Sequence, residues 1–256
     1  MTNTNEQKIK IIDKIINYIK VGKGTTNILC LPGALGTIWS DFKPQIEGLD
    51  KSKFTLIVWD PPGYGQSRPP DRQFGTSFYE NDAHYAYELM KKLQINRFSL
   101  LGWSDGGISA IIMASKYPQN VEKLVIWGVN SYIIQQEIEY YNSMRDISRW
   151  SEKIKGPLVA LYTEKELQKM WSKWCDTAEE FYNKGGNICS NWLKLIQCPT
   201  LILHGDKDPM MSPEHPEFLF CNIKAVMLHR FPEGKHNVHL RFSEEFNKLV
   251  TDFLLL

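Results

Sequence analysis

Residues 100–110 read LLGWSDGGISA, and within them Gly102-Trp103-Ser104-Asp105-Gly106 fits the pattern G-x-S-x-G. The apolar run before it reads as a strand and the stretch after it as a helix, the context that gives this short motif meaning. A turn that sharp forces Ser104 into a strained backbone conformation. Small residues on either side leave room for it, and the hydroxyl is expected to stand exposed above the sheet. A serine hydroxyl is a poor nucleophile near neutral pH and needs a base within hydrogen-bond reach. The carboxylate of Asp105 beside it poses a problem, since negative charge there opposes an anionic transition state. Two explanations fit. An acid in the first turn of a helix gains about 0.3–1 kcal/mol from the helix dipole. Alternatively, the carboxylate pairs with a cation on the substrate. An α-ammonium lies two bonds from the carbonyl carbon, so its partner must be close to the nucleophile, while the N–H of the same residue turns to the oxyanion.

Six histidines could supply the base: His84, His204, His215, His229, His236 and His239. His84 falls inside a helical stretch, His229 inside a strand, and His204 at a strand end before Gly205. His236 lies in FPEGKHNVH, after the last expected strand, where the chain order Ser…acid…His puts the base. His239 is its nearest rival and falls on the closing helix. The base needs an acid to fix its tautomer, and LILHGDKDP offers Asp206 and Asp208. The other strand end used for this purpose, VIWGVNSY, has no carboxylate. Spacing from Gly205 favours Asp208, leaving Asp206 to stabilise the turn by bonding nearby backbone amides. For the oxyanion, the N–H of Asp105 needs a second donor from an earlier strand-to-helix loop. CLPGALGT is that loop, with Ala34 the expected donor and Leu35 the fallback, and with Gly33 and Gly36 allowing close backbone approach. An ordinary glycine turn is the plainer alternative. Asp60, in WDPPGYGQSRPP, is expected to pin its own turn.

These residues need a frame. From about 26 to 128, short apolar runs (TNILCLPG, KFTLIVWD, RFSLLGW, VEKLVIWG) alternate with helical stretches (SFYENDAHYAYELMKKL, GGISAIIMASKYP). Such alternation predicts an α/β fold, a mostly parallel sheet covered on both faces. Residues 131–195 lack convincing strands and are helical and rich in Tyr and Trp, which reads as a lid inserted after the sixth strand. Two further packed helices would be the plainer account. CPTLILHG and KAVMLHRFPEG then add strands, and VHLRFSEEFNKLVTDFLLL a closing helix. The expected organisation is a core of residues 1–130 and 196–256 with a 131–195 cap. KIKIIDKIINYIKVGKG near the N-terminus has helical Lys/Ile spacing, but its Ile, Tyr and Val content favours two antiparallel strands.

Composition narrows the class. The 256 residues are 43% hydrophobic and 23% charged, and 30 basic against 29 acidic residues leave a net charge of +1. That balance offers nothing to nucleic acid. Five cysteines, odd in number and without CxxC spacing, point to reduced thiols rather than disulfides or zinc. No apolar run approaches the ~20 residues that span a bilayer. The polar N-terminal stretch matches neither a secretory nor an Arg-rich transit peptide, so a cytoplasmic location is expected. The chemistry calls for no metal or cofactor, only a small-molecule ester, and a monomer is favoured.

Taken together, LLGWSDGGISA, WDPPGYGQSRPPDR, LILHGDKDP and FPEGKHNVHLRFSEEFNKL resemble the α/β-hydrolase fold. More narrowly, they resemble the valacyclovir hydrolase, or biphenyl hydrolase-like, family. The resemblance runs from roughly residue 27 to 254 and includes VIWGVNSY, RDISRW and GNIC within the lid. G-x-S-x-G is generic, whereas G-W-S-D-G-G followed by E-G-K-H-N-x-H-L-R-F is distinctive. The resemblance implies hydrolysis of α-amino-acid esters, amino-acyl nucleoside esters and thiolactones. By motif it makes Ser104 the nucleophile, Asp208 the acid, His236 the base and Asp105 the receiver of the α-ammonium. A mitochondrial location comes from the resemblance alone. Within the fold, the rival activities are those of a general carboxylesterase or a C–C bond hydrolase. A binding protein on an inactive scaffold would be expected to lack a triad member.

Overall fold

The computed structural model describes residues 5–256, so the first four residues of the expected core lie outside the described residues. The N-terminal segment forms two strands, β1 (Gln7–Ile11) and β2 (Lys14–Gly22), paired antiparallel. Six more follow: β3 (Thr26–Leu31), β4 (Phe54–Trp59), β5 (Phe98–Trp103), β6 (Val121–Trp127), β7 (Thr200–Gly205) and β8 (Val226–Phe231). Their order in the sheet is β1-β2-β4-β3-β5-β6-β7-β8, with β2 antiparallel to β4 and every later pairing parallel. Every residue of β4 and β7 is buried, as their unbroken apolar runs require when both faces are covered.

Two packed layers do the covering. Helices α1 (Ile38–Gly48), α2 (Phe78–Lys92) and α3 (Asp105–Lys116) follow β3, β4 and β5. After β6, and among the described residues, the chain leaves the sheet to form α4 (Gln135–Ser143), α5 (Glu152–Tyr162) and α6 (Glu164–Asn183). The neck of this insertion is closed by an antiparallel bridge between Tyr132 and Asn187. Three helices then lie around β8 among the described residues: α7 (Glu214–Asn222) before it, and α8 (Val238–Arg241) and α9 (Ser243–Leu255) after it. One core cluster joins α2, α3 and the insertion, through residues such as Met90, Ile108 and Trp174. The other joins α1 to α9 through Phe42, Ile46, Phe246 and Val250. α6 buries Leu167, Met170, Trp171, Trp174, Ala178 and Phe181, a stripe at helical spacing facing the core.

Two elements differ from what the sequence suggests: α7 stands between β7 and β8, where two consecutive strands are expected, and the closing helix is broken. The closing helix is interrupted at Phe242 (φ −118°, ψ 44°), whose ring stacks on Phe231. α1 is the helix that the loop CLPGALGT leads into, although Pro44 lies inside it and removes a backbone donor. A reciprocal cap compensates at its start: Ser40 N–H donates to Thr37 Oγ1 (3.2 Å) and Thr37 N–H donates to Ser40 Oγ (2.8 Å). Among the described residues, no helix is long and apolar enough to cross a membrane.

Candidate active site

Ser104 joins β5 to α3 at φ 52°, ψ −121°. A non-glycine residue held there costs on the order of 1–3 kcal/mol and persists only when its surroundings enforce it. They do so through three backbone bonds. Ser104 N–H donates to the Trp127 carbonyl (3.0 Å), and the Ser104 carbonyl accepts from Gly107 (2.8 Å) and Ile108 (3.1 Å). The flanking glycines are a steric necessity. A Cβ at Gly102 would stand 2.7 Å from the Gly106 carbonyl oxygen, and one at Gly106 only 2.0 Å from that of Leu31. The hydroxyl is not open to solvent as the motif suggests. Ser104 is 7% exposed, because the insertion roofs the cavity that it lines.

His236 and Asp208 meet at the C-terminal edge of the sheet, with Nδ1 and Oδ2 2.8 Å apart. Asp208 Oδ1 accepts from the amides of Met210 (2.8 Å) and Met211 (3.3 Å), so the turn itself aims the carboxylate. Burial works to raise the Asp208 carboxyl, but the neighbouring His236 and the Met210 amide outweigh it and hold it below the ordinary value. His236 lies against Gly128, where a Cβ would come within 2.9 Å of its Cε1. Trp103 Nε1–H donates to the His236 carbonyl (3.0 Å), which ties the residue before the serine to the histidine loop. Among the described residues, Ser104 Oγ and His236 form no hydrogen bond. In unliganded sites such contacts are often long.

The other histidines are engaged elsewhere. His239 is wholly buried, accepts from Trp127 Nε1 at 2.8 Å, and is driven by burial to a pKa of about 3, so it stays neutral. His215 Nε2 lies 2.7 Å from Glu137 Oε1, His229 lies 3.6 Å from Glu245, and His84 sits on the exposed side of α2. His204 is buried at the end of β7. Asp206 corrects an expectation: its carboxylate pairs with Arg230 on β8 (2.6 Å) rather than with turn amides. The nearby amides of Met210 and Met211 bond Asp208 instead, and β8 brings a guanidinium to Asp206. Asp60 pins its turn as expected, accepting from Ile38 N, Gln66 N and Asn17 Nδ2.

The β3–α1 loop carrying Ala34 runs beside Ser104, for a Cβ at Gly33 would stand 3.4 Å from that of Ser104. Asp41, a residue the sequence reading passed over, accepts from Gly33 N–H at 2.9 Å, and burial pushes its carboxyl up to about 7. Tyr162, from the insertion, donates to the Leu35 carbonyl (3.0 Å) and accepts from Gly65 N–H (2.8 Å). It thereby braces Leu35 in a left-handed conformation, φ 62°.

Asp105 opens α3, so its N–H has no intrahelical acceptor. Its carboxylate lines the same cavity as Ser104 and is 4% exposed at the residue level. Tyr79 Oη donates to Oδ1 and Trp174 Nε1 to Oδ2, each at 2.9 Å. Burial raises its carboxyl to about 6, against the lowering effects of the Trp174 bond, the Arg72 charge and the Tyr79 bond. Arg72 does not touch it; that guanidinium bonds Asp82 and the Pro62 carbonyl. Phe78, Tyr141, Ile188 and Met211 complete an aromatic and aliphatic lining drawn from both core and insertion. Among the described residues, no group of three or more His, Cys, Asp or Glu side chains could hold a metal ion.

Comparison with known proteins gives the family and the fold. The α/β hydrolase fold family model matches residues 26–141. Over 254 residues the chain is 50% identical to the serine hydrolase BPHL of Mus musculus, covering 99% of this chain and 87% of that protein. The Homo sapiens protein of the same name is 46% identical with the same coverage. Among solved structures, an α/β hydrolase enzyme from a Medee basin deep-sea metagenome library superposes with a TM-score of 0.82 at 19% identity, covering 98% of both chains. The last likeness is one of fold.

Proposed function

The chain belongs to the biphenyl hydrolase-like serine hydrolases of the α/β-hydrolase fold, and on that premise we propose that it cleaves α-amino-acid esters through an aminoacyl-enzyme on Ser104. His236, its Nδ1 engaged by Asp208, uses Nε2 to take the Ser104 proton as Oγ attacks the ester carbonyl. The N–H groups of Asp105 and Ala34 receive the oxyanion. The alcohol departs with the proton from His236, and water, activated by the same histidine, releases the amino acid. Amino-acyl nucleoside esters and thiolactones present the same acyl group with other leaving groups, so they fall within the proposed class.

One observation carries the substrate assignment. The Asp105 carboxylate is buried beside Ser104, and both its hydrogen-bond donors, Tyr79 and Trp174, are neutral. A buried carboxylate with no direct cationic partner is costly. The α-ammonium of an amino-acid ester would offset that cost in ground and transition states alike. An anionic dienoate, as used by C–C hydrolases of this fold, would meet like charge instead.

Hydrolysis of matched esters with and without the α-amine tests the reading, with Ser104→Ala as the control for the nucleophile. Asp105→Asn should lower kcat/KM on the amino ester on the order of 10²-fold, the scale for truncating one partner of a buried charge pair. The des-amino ester should lose much less. Equal losses on both would overturn the ammonium role, and full activity in Ser104→Ala would overturn the mechanism.

A further inference from the structure

We propose that Trp174 of the insertion, together with Tyr79 of the core, positions the Asp105 carboxylate for its cation, so that the cap helix α6 builds part of the ammonium site. This rests on the α-amino-ester reading above and adds to it the residues that set the selectivity.

An indole N–H can only donate, so Trp174 satisfies Asp105 without contributing charge. Tyr79 Oη donates to the other oxygen, so the plane of the carboxylate is fixed from two separate layers of the fold. Each oxygen keeps further acceptor capacity for a substrate N–H. Both donors are themselves held by α6. Trp174 stacks on Trp171 with ring centroids 4.8 Å apart and planes within 5°, while Phe181 stacks on Tyr79 at 5.9 Å. Tyr141 of α4 abuts Trp174 edge-on at 4.9 Å. Replacing the indole by a phenyl ring keeps an aromatic ring in this stack and frees one carboxylate oxygen.

The charged and titratable groups around Asp105 are Arg72 and Tyr64 from the loop after β4, Tyr79 and Asp82 from α2, and Tyr141 from α4. Arg72 is tied to Asp82 in a buried pair. The balance at Asp105 thus lies between burial, which favours the neutral acid, and the Trp174 bond, the Arg72 charge and the Tyr79 bond, which favour the carboxylate. Loss of a donor and loosening of the cap then have opposite signs. The first raises the pH at which Asp105 ionises, whereas admitting water lowers it.

The test is the ratio of kcat/KM for an α-amino ester to that for its des-amino counterpart, followed against pH in wild type, Trp174→Phe, Tyr79→Phe and Asp105→Asn. Effects common to both substrates cancel in the ratio. In the wild type the ratio should fall as pH drops through about 6. Each single donor variant should lower the ratio about tenfold and move that midpoint up by about one unit, the scale of one hydrogen bond to a charged group. Tyr79→Phe makes the test independent of any effect of Trp174→Phe on cap folding. Des-amino activity reports that each variant is folded. A midpoint that stays put or moves down in both donor variants, while Asp105→Asn abolishes the wild-type ratio, overturns the positioning role alone. A ratio that survives Asp105→Asn overturns the parent reading and this inference with it.

Discussion

Asp208 Oδ2 stands 2.8 Å from His236 Nδ1, and the two residues are 28 positions apart in the chain. The other Asp208 oxygen is held by the Met210 and Met211 amides. The carboxylate is therefore oriented by its own turn as well as by the histidine, and the histidine is left with Nε2 as the nitrogen free to exchange protons.

Asp208→Asn is expected to lower kcat on the order of 10⁴-fold, the magnitude for an acid-to-amide change that leaves geometry intact but favours the wrong imidazole tautomer. KM should change little, since Asp208 does not line the cavity described for Ser104 and Asp105. Steady-state kinetics on one amino-acid ester suffice. A loss below tenfold would place the acid elsewhere.

Asp105 should make itself felt in stability with a sign opposite to that of Asp208. Burial raises its folded pKa to about 6 from a reference of 3.8, so the folded state binds the proton more tightly than the unfolded chain. Its contribution is most favourable below the unfolded value and is lost as pH rises through about 6. Wild type should therefore gain on Asp105→Asn as pH falls from about 7 to 4.5, by on the order of 1–3 kcal/mol. Thermal unfolding of the pair across that range checks it. A constant difference would mean that Asp105 is not buried as a strained carboxylate.

Tyr162→Phe removes a hydroxyl that joins the Leu35 carbonyl to the Gly65 amide. Leaving those buried groups unpaired should cost about 1–3 kcal/mol of stability. Because Leu35 adjoins the expected oxyanion donor Ala34, kcat should fall by a similar factor on amino and des-amino esters. This pattern is distinct from that of Trp174→Phe. Denaturant unfolding and kinetics on both esters measure it, and a loss confined to the amino ester would contradict the assignment to the oxyanion loop.

Much of the architecture was legible because it depends on local rules. Apolar runs closed by Pro and Gly became β3 to β8, and the Ile-rich start became a hairpin. Gly102 and Gly106 could be read beside Ser104 because the turn admits no side chain at either place. Aromatic residues in helical stretches carry no such local signal. Tyr79 and Trp174 look like core positions, and their bonds to Asp105 span 26 and 69 residues. Asp41 carries no local signal either, because its partner, the Gly33 amide, lies eight residues back in the β3–α1 loop. Asp206 was misjudged because its partner Arg230 arrives from β8, 24 residues on.

By itself, then, the sequence determined the order of the strands, the serine elbow and the place of the helical insertion. These follow from backbone sterics and from the spacing of apolar side chains, which act over a few residues. Tertiary structure alone decided how each acid is charged. Asp208 and Asp105 are both buried aspartates, yet one is held low by a histidine and the other pushed up in a cavity whose hydrogen-bond donors are neutral. Desolvation and hydrogen bonding depend on which distant residues close around a group, and for Asp105 the residue that closes the site is Trp174 on the cap.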